Sequence, residues 1–106
     1  MKAIIFLIGL IAMECCANEP VPRLTGERLI QYFFSEKALE NEFANGYLAS
    51  IVDATQGDFG CATWKQKPHE IDADIAHELR KLPQERLREK ASVLVTEALK
   101  KKFPCK

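Results

Sequence analysis

The chain has 106 residues, enough for one small domain and one core. Fifteen Lys and Arg against fifteen Asp and Glu give a formal net charge of zero, which argues against a basic nucleic-acid-binding surface and against a polyacidic tail. Hydrophobic residues at 47% beside charged residues at 28% are the balance of a folded globular domain, not of a disordered one.

The N-terminus, MKAIIFLIGLIAMECCA, places one positive charge at Lys2 ahead of an uncharged, mostly apolar run from Ala3 to Met13. This is the pattern of a secretory signal over residues 1–17. The run is well short of the roughly 20 residues a membrane-spanning helix needs. Contact with a membrane is therefore expected only through this leader, before cleavage. Cys15 and Ala17 occupy the small-residue positions before a cut preceding Asn18. Tandem Cys15 and Cys16 also suggest a lipoprotein, but Glu14 stands where a lipidation site has a small residue, so a soluble exported product is the reading preferred.

Residues 18–24, NEPVPRL, hold two prolines and little to bury, and read as a tether ahead of a helical domain over residues 25–106. Thr25 fits an N-cap, with Glu27 in the first turn where a negative charge suits the helix dipole. Leu29, Ile30, Phe33 and Phe34 then form a short first helix. Ser35 can cap a second, in which Leu39, Phe43, Tyr47, Ile51 and Ala54 recur every three or four residues, with Gly57 closing it.

Residues 57–68, GDFGCATWKQKP, have two glycines, a terminal proline and no sustained period, and read as a loop. Pro68 suits the first turn of a third helix carrying Ile71, Ile75 and Leu79 and ending near Leu82, because Pro83 disfavours helical geometry in the residue before it. The same Pro83 can open a fourth helix with Leu87, Ala91, Leu94, Val95, Ala98, Leu99 and Phe103 on a wide apolar face. Lys100, Lys101 and Lys102 lie in its last turn, where cations suit the dipole, and Pro104 stops it. No segment alternates as a half-buried strand does, so the expected fold is all-α, four helices around one core.

Cleavage before Asn18 leaves two cysteines, Cys61 and Cys105. In an oxidising compartment an even count reads as a disulfide; two buried free thiols are the alternative. A metal site is disfavoured because the cysteines are far apart and His69 and His77 lie eight apart on a polar face. The disulfide would fasten the end of the fourth helix, which otherwise frays, to the loop after the second, and would stiffen that loop as a recognition surface.

No catalytic constellation emerges. Glu70, Asp72, Asp74 and Glu78 with His69 and His77 are expected to form a solvated helix face, and Ser92 and Thr96 have no histidine near them in sequence. There is no phosphate-cradling glycine loop, no paired-cysteine redox motif and no cofactor motif. An enzyme is not expected.

The order of several short pieces nevertheless resembles a known family. LTGERLI at 24–30, NGYLASIVDA at 45–54, Cys61, LPQERLREKASVLVTEAL at 82–99 and the terminal FPC at 103–105 are similar to the periplasmic immunity proteins of type VI secretion, of the Rap/Tai amidase-immunity kind. Family members often carry a second cysteine pair, at places corresponding here to Phe33 and Ala44, and often a glycine at the position of Ser50. The resemblance implies a protein that binds a cognate effector, commonly a peptidoglycan amidase, and occludes its active site. A homodimer is compatible with this reading.

Within such a reading the loop from Asp58 to Lys67 is the expected contact surface, with Asp58, Trp64, Lys65 and Lys67 as its candidate residues. Trp64, the only tryptophan, is either an interface anchor or a lid folded over the core, with Phe59 the more buried of the two loop aromatics. The competing functions are a small exported structural or envelope-associated protein with no toxin partner, and a carrier of a small apolar ligand held between helices.

Overall fold

The computed structural model describes residues 23–56, 58, 61 and 65–105. The leader, most of the tether, Gly57, Phe59 and Trp64 lie outside them. Among the described residues the α-helices are α1 Gly26–Phe33, α2 Ala38–Thr55, α3 Pro68–Arg80 and α4 Ala91–Lys102, with a 3₁₀ turn at Arg86–Arg88. Helix α1 packs on each of the other three, and α2 and α3 both pack on α4. Leu29, Leu48, Ile75, Leu79, Leu94, Val95 and Leu99 form the fully buried centre. The all-α expectation holds.

Local chemistry explains most helix ends. The Thr25 hydroxyl accepts a hydrogen bond from the Arg28 backbone N–H at 3.2 Å and so caps α1. At the other end of α1 the Asn41 side chain donates to the Phe33 carbonyl at 2.6 Å. Ser35 does not occupy the N-cap of α2; Lys37 does, with no side-chain bond of its own. Ser35 instead stands two residues earlier, accepting from the Lys37 N–H at 3.0 Å and donating to Glu40 at 2.7 Å, so it braces the corner rather than capping the helix. Pro68 begins α3 as expected. Helix α3 ends at Arg80, and the N–H groups of Lys81 and Leu82 then reach back to Glu78 and Leu79, which carries the turning chain to the residue before Pro83.

The fourth helix departs from expectation. Pro83 starts only a turn, in which its carbonyl accepts from Arg86 and Leu87, and regular helix resumes at Ala91. Between them the chain straightens at Glu89 and Lys90 to pair with the segment before α1. Gly26 N–H donates to Glu89 O at 3.1 Å, and Ala91 N–H to Leu24 O at 2.9 Å, forming an isolated antiparallel bridge between Thr25 and Lys90. This pairing is non-local, and no helical period in the sequence could announce it. It also brings Gly26 against the core. A methyl group there would overlap Leu94 Cδ1 and stand 3.4 Å from the Leu87 carbonyl oxygen. Leu94 is fully buried and has nowhere to swing, so Gly26→Ala is expected to cost about 1–3 kcal/mol in chemical denaturation. An unchanged midpoint would show that the packing at this corner gives way freely.

The chain end is held as the cysteine count suggested. Cys61 and Cys105 form a disulfide with their Cα atoms 5.2 Å apart. Beside it the Cys61 N–H donates to Phe103 O at 2.9 Å, and the Phe103 ring packs against the core.

Candidate partner-binding surface

The loop after α2 begins and ends on exposed residues. Asp58, Lys65 and Lys67 are all exposed, with Asp58 N–H donating to Thr55 O at 3.0 Å. The disulfide at Cys61 fastens the stretch between them to the end of α4.

Next to this loop a groove of about 510 Å³ opens between the second half of α2 and the start of α3. Ala49 and Val52 from α2, with Pro68 and Ile71 from α3, supply its apolar walls, and Asp53 and Asp72 its acids. Ser50, at the position where the resembled family often has glycine, is exposed at its edge and donates to Tyr47 O at 2.7 Å.

Asp72 contradicts the expected solvated face of α3. It is only 7% exposed, and burial pushes its carboxyl up to about 6, with the charge of His69 opposing. Among the described residues none hydrogen-bonds or ion-pairs with the Asp72 carboxylate. Its oxygens are nonetheless not sealed away, since no buried side-chain oxygen lacks a partner and Asp72 lines the groove.

Glu78, 8% exposed, also departs from the solvated face, by a different route. Lys101 of α4 reaches it at 2.6 Å, with Lys81 at 3.6 Å and Lys102 at 4.0 Å. The Lys101 hydrogen bond holds the Glu78 carboxyl below the usual carboxylate range, against the contrary effect of burial. Lys101 and Lys102 thus do more than complement the dipole of α4; they tie it to α3.

The two acids act oppositely on stability. Asp72 binds protons more strongly folded than unfolded between its ordinary 3.8 and about 6, so through Asp72 the fold gains stability as pH falls across that window. Glu78 contributes stability above its ordinary 4.5 that is lost as pH falls through its lower folded value. Asp72→Asn is therefore expected to stabilise the protein at pH 7.5, by about 1 kcal/mol once screening through the open groove is allowed for. The gain should shrink as pH is lowered through about 6. Melting curves across pH check it; a variant that is less stable at pH 7.5 would contradict the burial argument.

A second surface, on α1 and α2, includes Leu39, Phe43 and Tyr47 from the helical series of α2. Leu39 is 81% exposed and Phe43 50% exposed. Phe43 meets the Tyr32 ring edge-to-face at 5.5 Å and lies 6.2 Å from Tyr47. Helix α2 has apolar residues on more than one face. The residues it turns fully inward are Ala44 and Leu48, while Ile51 and Val52 pack partly buried against the core. Phe33 and Ala44, the places of the second cysteine pair in the resembled family, both belong to the apolar interior, Ala44 fully and Phe33 in part.

Among the described residues no group of three or more His, Cys, Asp or Glu could hold a metal ion, and no helix is long and apolar enough to cross a membrane. What the fold presents is a small disulfide-fastened helical domain with an acid-based groove between α2 and α3 and a partly exposed aromatic patch on α1 and α2. The profile of the Rap1a immunity proteins matches residues 25–105, and the chain belongs to that family of type VI secretion immunity proteins. A search of curated proteins gave no match.

Proposed function

We propose that the protein is exported to the periplasm, with residues 1–17 removed before Asn18, and there binds and inhibits a cell-wall-degrading effector, a peptidoglycan amidase. Family membership is the observation that carries the reading. The Cys61–Cys105 disulfide supports the compartment, because such bonds persist where the environment is oxidising. The leader pattern supports export. Inhibition proceeds by occlusion, with the loop from Asp58 to Lys67 contributing contacts through Asp58, Trp64, Lys65 and Lys67. A loop tied at Cys61 loses less freedom on docking than a loose one.

The test is genetic. Cells lacking the gene should lyse when sibling cells deliver the effector encoded beside it, and a copy lacking residues 1–17 should fail to protect them. Survival of the deletion strain under that attack would reject the immunity reading. In the purified pair, Trp64→Ala should weaken the complex by about 2 kcal/mol or more if Trp64 is an anchor.

A further inference from the structure

We propose that the groove between α2 and α3 is a receptor for one arginine or lysine side chain of the protein partner, with Asp72 as its counter-charge. The proposal deepens the reading above and rests on it only for who the partner is. The groove's chemistry stands on its own residues.

A carboxylate on a residue nine-tenths buried, to which no described residue donates and whose oxygens meet only the groove, is costly to the free protein. Asp72 is such a group, and it faces a groove in place of solid packing. A cation entering there would restore the missing partner and make a charge-assisted hydrogen bond in a partly dry setting. The walls fit the rest of such a side chain. Val52, Ile71 and Pro68 offer apolar surface to a methylene stem, the part of Lys and Arg that lies readily along hydrophobic groups while the charge goes to a polar end.

The charge pattern agrees. The groups facing Asp72 across the groove are Asp53 from α2 and the neutral amides of Gln56 and Gln66, with His69 on its own helix. Among the described residues lining the groove none is basic. An acidic partner side chain would meet two carboxylates, and a purely apolar one would bury Asp72 further with no compensation. A cationic one is the occupant for which both the apolar walls and the acids are favourable.

The test uses the purified protein and N-acetyl-arginine amide as probe, with N-acetyl-norleucine amide as the uncharged control, followed by NMR. The arginine probe should produce saturable shifts at Ser50 and Ile71, and should move the Asp72 carboxyl titration downward from about 6. Asp72→Asn, expected to fold more stably than the native protein, should weaken probe binding about tenfold or more. Equal response to the norleucine probe, undiminished binding by Asp72→Asn, or no saturable shift would each overturn the proposal. A failed probe experiment with intact inhibition of the effector would remove the groove's role and leave the immunity reading standing. A bound probe in a protein that neutralises no effector would do the reverse.

Discussion

Replacing Cys61 and Cys105 together by serine should lower the stability of the protein more than any other change to its chain end. The disulfide joins residues 44 apart, and the chain-entropy account of such a loop gives on the order of 4 kcal/mol. A domain of this size has a net stability of only about 5–10 kcal/mol, so the double variant should melt roughly 15 °C lower or more. The loss has a local signature as well. Without the bond, the end of α4 keeps the Cys61 to Phe103 backbone hydrogen bond, the half-buried Phe103 ring and the contacts of Lys101 and Lys102 with Glu78. Amide exchange should therefore accelerate first in the last turn of α4 and around residue 61. An unchanged melt would mean that Phe103 and its hydrogen bond already secure the end.

Leu48→Ala is expected to cost about 2–5 kcal/mol, while Leu39→Ala, on the same helix, should change stability by no more than about 0.5 kcal/mol. Leu48 is 1% exposed and sits in the central cluster; Leu39 is 81% exposed. Truncating the first leaves a cavity among Leu29, Ile75 and Leu99 and their neighbours, whereas truncating the second removes surface already in water. Denaturant titration of the two variants decides the matter. Similar losses in both would mean that α2 is rotated about its axis relative to the arrangement described here.

That contrast also shows where reading the sequence reached its limit. Thr25, Pro68 and Pro104 mark helix ends by covalent chemistry local to each residue, and they behave in the fold as they do in isolation. The cysteine pair was legible because, of four cysteines, the leader pattern takes in Cys15 and Cys16 and leaves one pairing for the rest. Helix α2 was harder. Leu39, Phe43, Tyr47, Ile51 and Ala54 recur at helical spacing, but so do Ala44, Leu48 and Val52, and the positions of the other helices turn Ala44 and Leu48 fully inward with Tyr47, Ile51 and Val52 partly buried beside them. The break before Ala91 was invisible for a related reason. It is imposed by hydrogen bonds to Leu24 and Gly26, more than sixty positions away in the chain. The groove escaped notice because a buried Asp72 and an exposed one have the same letter in the sequence. Its neighbours Ile71 and Ile75 were read as core, and Asp72 itself lies beside them on the helix surface, at the margin of that stripe.

The bridge between Thr25 and Lys90 bears on the order of events during synthesis. A polypeptide leaves the ribosome with its amino end first, and α1 is complete in sequence long before residues 89–91 exist. Yet the start of α1 is secured by those residues, Gly26 is packed against Leu87 and Leu94, and the loop after α2 is tied to residue 105. The contacts that complete the packing of α1 thus come from residues far along the chain. A chain cut short before Glu89 is therefore expected to lack the partners that fix the start of α1, so native packing of that helix comes late in synthesis.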